Sequence, residues 1–252
     1  MWSTRSVTPV LTVAADRDLV EQLLRDGQLV CPRCETGVLG GHGWVPARWL
    51  RKADGRVVLL KAHATAEEIA SGTVGPGLRR GRCKQHGCAA THVLAPLEVL
   101  ARRLDEASVI GTVLEARADG LGYRRITGRL GRAAAGVLGH AAELGVVRRC
   151  VARFTANAGR LRAAFTALVH RVDSSPPVMT SGGSAVAGAV AAIGEAAAAV
   201  RRLLGTGMPA VSPWAVAAAV SDGSLLAVTP KDRLFSVQDR VFSTSRHLPA
   251  AM

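Results

Sequence analysis

Aromatic side chains are scarce in this 252-residue chain, 4% in all and a single Tyr among them. A chain so poor in large rings packs thin cores, which predicts several small units in place of one large domain. Acidic residues are also few, 19 against 32 Lys and Arg, for a formal net charge of +13. That balance argues against a cationic partner and for a polyanion, of which nucleic acid is the usual one. No long uninterrupted apolar run is present. The most apolar stretch, Ser184 to Leu204, is mostly alanine, contains Glu195 and ends at Arg201-Arg202. This composition is too weakly hydrophobic for a membrane span, and the N-terminus has no apolar signal core, so a soluble cytoplasmic protein is expected. No Ser/His/Asp grouping and no phosphate-cradling glycine loop appears.

Cysteine is rare, five in all, and in a reducing compartment its spacing reads first as metal chemistry. Cys31-Pro32-Arg33-Cys34 forms a tight knuckle, and Cys83 with Cys88 forms a second, looser one. Cys31, Cys34, Cys83 and Cys88 together offer the four sulfur ligands of a closed, structural Zn²⁺ site, with His86 and His92 as alternative ligands. A redox pair at Cys31 and Cys34 is the rival reading, but no thioredoxin-like βαβ pattern surrounds it. Cys150 lies apart on a helical face and is expected as a buried thiol. Metal binding would supply folding free energy, on the order of 10 kcal/mol, to an N-terminal unit of little apolar content.

Charge is uneven. Residues 96–172 carry 13 Arg and 6 acidic residues, whereas residues 173–252 are close to balanced. Inside that basic region Leu104, Ala107, Val109, Ile110, Val113, Leu114 and Ala118 mark an amphipathic helix, closed by Gly120 and Gly122. Tyr123 to Leu130 puts Tyr123, Ile126 and Leu130 on one face and Arg124, Arg125 and Arg129 on the other. Gly131 is expected to turn the chain, and Ala133 to Leu144 to form a recognition helix. This is the spacing of a helix-turn-helix with a cationic outer face for phosphate. Arg124, Arg125, Arg129, Arg132 and His140 are the expected contacts with double-stranded DNA. The recognition stretch offers almost nothing able to read base edges beyond Arg132 and His140, so binding is expected to be weakly sequence-specific.

The fold expected is mainly α. An N-terminal zinc-ribbon-like β unit (1–95) is followed by a central helix-turn-helix (96–145). A long heptad-patterned helix (146–172), a linker (173–184) and an alanine-rich helical region with a loosely ordered tail (185–252) complete it. In the first unit Val7 to Val13 reads as an edge strand, and Asp16 caps a helix through Leu19, Val20, Leu23 and Leu24 that ends at Gly27. Trp44 to Leu50 and Arg56 to Lys61 read as a hairpin, Ala62 to Gly77 as an inserted loop, and Pro96 as the first turn of a helix. In the long helix Val147, Val151, Phe154, Ala158, Leu161, Phe165, Leu168 and Val172 repeat as heptads. They provide either a homodimer seam or a face for the C-terminal helices. Ser212 is expected to cap a short helix anchored by Trp214.

The residues Cys31-Pro32-Arg33-Cys34, Arg82-Cys83 through Cys88, Thr91-His92-Val93-Leu94, Gly122-Tyr123-Arg124-Arg125-Ile126 and Leu130-Gly131-Arg132 resemble a pattern. It is that of an uncharacterised family of bacterial zinc-ribbon plus helix-turn-helix proteins associated with transposase genes. The resemblance covers roughly residues 28–172 and implies DNA binding, a metal-stabilised ribbon and a possible transposase partner, without known catalysis. The chain departs from that pattern in its longer second knuckle, in Ala133 where Pro is usual, and at Gly136, Leu138 and His140. The expected function is a transcriptional regulator or transposition accessory. The alternative is a zinc-ribbon protein-interaction adaptor. A transposase itself is disfavoured, because only Asp173, Glu195, Asp222, Asp232 and Asp239 follow the helix-turn-helix and no β-rich segment carries them.

Overall fold

The computed structural model describes residues 10–13, 17–96, 98–100, 105–134, 140–173, 183–204, 212–221 and 225–226. The chain divides into two compact units, Met1–Val109 and Ile110–Met252, and the division falls inside one helix. The first unit is mixed α/β and the second is helical among its described residues.

The first unit is built on two small sheets. Strands β1 (Val10–Val13), β2 (Leu39–Trp44), β6 (Arg79–Cys83) and β7 (Thr91–Pro96) form one, in the order β1-β7-β6-β2. Strands β3 (Arg48–Arg51), β4 (Val57–Lys61) and β5 (Val74–Pro76) form the other, in the order β3-β4-β5. β1 lies at a sheet edge and runs parallel to β7, the edge position that Pro9 predicts. Helix α1 (Arg17–Arg25) buries Val20 and Leu24 and leaves Leu19 exposed. The expected cap at Asp16 lies outside the described residues.

Three expectations need correction here. The hairpin strand begins at Arg48, where β3 pairs with β4 as Arg48↔Leu60, while Trp44 closes the separate strand β2. Ala62 to Gly77 is not an irregular insertion: helix α2 (Ala66–Ala70) carries the chain from β4 to β5, which pair in parallel. Its signal is a capping box, in which Thr65 accepts from the Glu68 N–H and Glu68 accepts from the Thr65 N–H. That arrangement satisfies two donors of a helix start. Pro96 ends β7 opposite Val13 and opens no helix; a strand's last position at the sheet margin tolerates the missing N–H.

Two apolar clusters hold the unit. Val20, Leu24, Cys31, Leu39, Cys83, Ala90 and Leu94 form one, and Leu50, Val58, Leu60, Leu78, Ala95 and Val99 the other. The segment after Pro96 stays with this unit. Asp105 accepts from Arg51 Nε at 2.7 Å with both side chains buried, and Glu106 pairs with Lys52 and accepts from the Ala53 N–H.

The second unit is made of helices α3 (Ala107–Ala118, which begins in the first), α4 (Tyr123–Ala134), α5 (His140–Val172), α6 (Ala185–Leu204) and α7 (Pro213–Val220). α3 buries Val109, Ile110, Val113 and Leu114 as its periodicity predicts. It ends in a Schellman motif, in which Leu121 N–H bonds Ala116 O, Gly120 N–H bonds Arg117 O, and Gly120 takes φ +82°.

The turn expected at Gly131 is absent, because α4 runs through it to Ala134. The separate recognition helix Ala133–Leu144 is likewise corrected. Ala133 and Ala134 finish α4, residues 135–139 lie outside the described residues, and His140 to Leu144 open the 33-residue helix α5. α5 passes unbroken through Gly145. A helical glycine costs roughly 1 kcal/mol relative to Ala, which neighbouring Leu, Arg and Ala absorb.

The heptad stripe of α5 is spent inside the chain. Val147, Val151, Phe154, Ala158, Leu161, Phe165 and Leu168 are all buried, with α6 packed along the helix. That occupies the seam a homodimer through residues 146–172 would use. α6 buries Ala189, Ala192, Ile193, Ala196 and Ala197, small side chains that allow close helix approach. Cys150 is a buried thiol as expected. Ser212 caps α7, and Trp214 is buried edge-on to Phe154 while donating from Nε1 to Glu115 at 2.6 Å. Among the described residues no helix is long and apolar enough to cross a membrane.

Candidate metal centre and cationic helix

Two chain reversals in the first unit bring the cysteines together. In the first, Glu35 N–H bonds Cys31 O and Cys31 N–H bonds Gly37 O. In the second, Cys88 N–H bonds Gln85 O and Cys83 N–H bonds Ala90 O. The residue after the second cysteine of each pair is left-handed, Glu35 at φ 61° and Ala89 at φ 42°. Such backbone is costly for side-chain-bearing residues and persists where the surroundings over-determine it. The extra length of the second knuckle is absorbed at its tip, where Gln85 and His86 are exposed.

The pairs interlock. Cys31 Sγ lies 3.8 Å from Cys88 Sγ and Cys34 Sγ lies 3.6 Å from Cys83 Sγ, with all four sulfurs within 4.8 Å of one another. A disulfide would need about 2.05 Å. A tetrahedral ion with metal–sulfur bonds of about 2.3 Å has sulfur–sulfur edges of about 3.8 Å, so the four cysteines can hold a metal ion. Backbone N–H groups of Gly37 and Gln85 point at Cys34 Sγ and Cys83 Sγ, each at 3.4 Å. Gly37 is sterically required, since a Cβ there would lie 2.5 Å from Cys83 Sγ.

Without an ion the cluster does not ionise as a set. Burial pushes the Cys83 thiol up to about 12 and raises Cys31, whereas the N–H groups of Thr36 and Gly37 pull Cys34 down to about 6. Four thiolates in one sphere need a cation to take their charge, so metal uptake releases protons and weakens as pH falls. His86 is exposed and outside the sulfur group. His92 is fully buried with Nε2 3.3 Å from Cys31 Sγ, next to one ligand but outside the group of four.

The arginines of α4 occupy the other unit. Ile126 and Thr127 are buried, Tyr123 is half-buried, and Arg124, Arg125 and Arg129 are exposed. The helix holds no acidic residue. Tyr123 lies under the guanidinium groups of Arg117 and Arg148, at 5.4 and 5.9 Å. Arg132 falls in the last turns of α4 and His140 at the start of α5; their side chains lie outside the described residues.

The face of the first unit that sequence reasoning missed is β2, Leu39-Gly40-Gly41-His42-Gly43-Trp44. Its glycines give it no strand alternation, yet it is an edge strand paired with β6. Trp44 at its end is flanked by the guanidinium groups of Arg17 and Arg79, at 4.9 and 4.7 Å.

Comparison with protein-family models, with curated proteins and with solved structures returns no match.

Proposed function

We propose that this chain is a DNA-binding protein with a structural Zn²⁺ site, acting as a transcriptional regulator or as an accessory to transposition alongside a transposase. The observation that carries the reading is the outer face of α4. Arg124, Arg125 and Arg129 are exposed there, without an acidic residue in the helix and without an ion pair among the described residues. Exposed, unneutralised arginines in a row are the requirement for phosphate contact. The four-sulfur set supports Zn²⁺, and a coordination shell closed by four thiolates leaves no position for a reactive water. The ion therefore has a scaffolding role and no catalysis is assigned.

The test is a fluorescence-anisotropy titration of the full chain with duplex DNA between 50 and 200 mM salt. Each lost phosphate contact removes about 0.9 from the slope of log affinity against log salt. Arg124→Ala/Arg125→Ala is expected to flatten the slope by about 1.8 on this basis and to weaken binding to all sequences alike. Binding without a salt slope, or a slope that the double variant leaves unchanged, would overturn the reading.

A further inference from the structure

The basic side chains of the first unit fall into two populations. Arg51, Lys52, Arg56, Lys61 and Arg79 each hold a carboxylate, from Asp105, Glu106, Asp54, Glu68 and Glu21 respectively. The others have no ion pair among the described residues; Arg17 lies over Trp44 and Arg25 donates to the Glu21 carbonyl, Arg33 sits in the first cysteine knuckle, and strand alternation groups Arg48, Arg80, Arg82 and Lys84.

Arg80 and Arg82 stand on the same face of β6. Lys84 continues that row: Gly40 pairs with Arg82, and a Cβ on Gly40 would lie 2.5 Å from Lys84 Cε. Successive members are about 7 Å apart, twice the rise of a strand residue. Arg80 stands opposite Val93, which packs on the Leu50–Leu60–Leu78 cluster. Arg48 has the parity of Leu50 and stands opposite Leu60, two members of that same cluster.

Two of these side chains are short of an acceptor. Arg48 Nε and Nη2 and Arg80 Nε are shut off from solvent without a hydrogen-bond partner. Burial also draws the Arg48 guanidinium below its ordinary value. Buried donors of this kind are ordinarily satisfied, because leaving one unpaired is costly. Beside the row, edge strand β2 is covered at Gly40 by Lys84 and at Gly41 by Arg79, and leaves open space only at Gly43 among its three glycines.

We infer that the Arg80–Arg82–Lys84 face, with Arg48 at its margin, is a second contact for the phosphate backbone of duplex DNA, an inference that rests on the chain being a DNA-binding protein. A straight row of charge suits a regularly charged polymer. An acidic protein partner would be anchored by aromatic side chains, and the exposed aromatic Trp49 belongs to the other sheet, on β3, with the opposite parity to Arg48.

The experiment uses the full, metal-loaded chain and a 5′-labelled duplex of arbitrary sequence, with anisotropy read between 50 and 200 mM salt. Arg82→Ala/Lys84→Ala is expected to flatten the salt slope by about 1.8, so that the affinity lost across that range shrinks roughly 12-fold. Arg82→Lys/Lys84→Arg is expected to restore the slope. Metal content and far-ultraviolet circular dichroism, measured on both variants, are expected to match the wild type. An unchanged slope in Arg82→Ala/Lys84→Ala, with a fall in Arg124→Ala/Arg125→Ala, would overturn this second contact and leave the α4 reading standing. The opposite pattern would overturn the α4 reading and keep this face. Displacement of the chain from DNA by polyglutamate at equal charge concentration would overturn the assignment to nucleic acid.

Discussion

The two halves of this chain reach stability by different means. Residues 17–109 contain short strands, a sulfur cluster and five carboxylates paired with Lys or Arg. Residues 110–221 contain long helices whose interior is Ala, Val, Leu and Phe, with Arg202–Asp173 as the ion pair seen among the described residues. The first half combines two small apolar clusters with these ion pairs and a sulfur cluster able to hold a metal ion. The second depends on helix–helix burial, and on its helix α4 Arg124, Arg125 and Arg129 have no ion pair among the described residues. Cations not needed for folding are the ones available to a polyanion, and they occur on α4 in one half and on β6 in the other.

The largest way to break the contrast is Cys83→Ser. Losing one of four thiolates removes most of a metal contribution on the order of 10 kcal/mol. Metal content should fall to background and the strand structure should be lost, while helical ellipticity persists. Retention of stoichiometric metal by the variant would contradict the four-sulfur site.

Trp214→Ala is the counterpart in the helical half. It deletes the ring against Phe154 and its bond to Glu115, and the expected cost is about 3–5 kcal/mol, read by chemical denaturation. Metal content should stay at the wild-type level. A loss of metal in this variant would show that the two halves do not fold by separate means. Gly111 reinforces the same spot, since a Cβ there would collide with the Trp214 ring.

The smallest effect is a local pH dependence in the first half. The hydrogen bond from Lys61, and then the Thr65 N–H, hold Glu68 below the ordinary carboxylate value. A depressed folded value means stability that is present above the ordinary carboxylate range and lost as pH falls through the folded one. The protection of the Thr65 and Glu68 amides, taken relative to their intrinsic exchange rate at each pH, should therefore fall on acidification, and Glu68→Gln should remove that dependence. Among the described residues the helical half has no such pair at a helix start, and it should not share the response.

The elements most legible in the sequence are those with strong chemistry or long periods. The two cysteine pairs, the α3 and α5 stripes, and Ser212-Pro213-Trp214 each state their structure in residue types. Glycine misleads in both directions. Gly131 and Gly145 read as breaks but lie within helices, because one residue's propensity is small against a turn of good helix formers. Gly40, Gly41 and Gly43 carry no strand signal but lie in a strand, where β6 supplies the hydrogen bonds and Lys84 and Arg79 lie over the backbone of Gly40 and Gly41. The Thr65–Glu68 capping box was readable, but its helix is only five residues long and has no period to announce it. The pairing of Arg80, Arg82 and Lys84 with nothing requires knowing which carboxylates the fold brings to the other cations. No local pattern carries that information.

Chelation of the metal, followed simultaneously by Trp44 and Trp49 emission and by ellipticity at 222 nm, tests the contrast most directly. The account predicts release of one Zn²⁺ per chain, a change in tryptophan emission and a largely preserved helical signal, all reversed by added Zn²⁺. Unaltered emission after complete removal of metal, or collapse of the helical signal in step with it, would contradict the account.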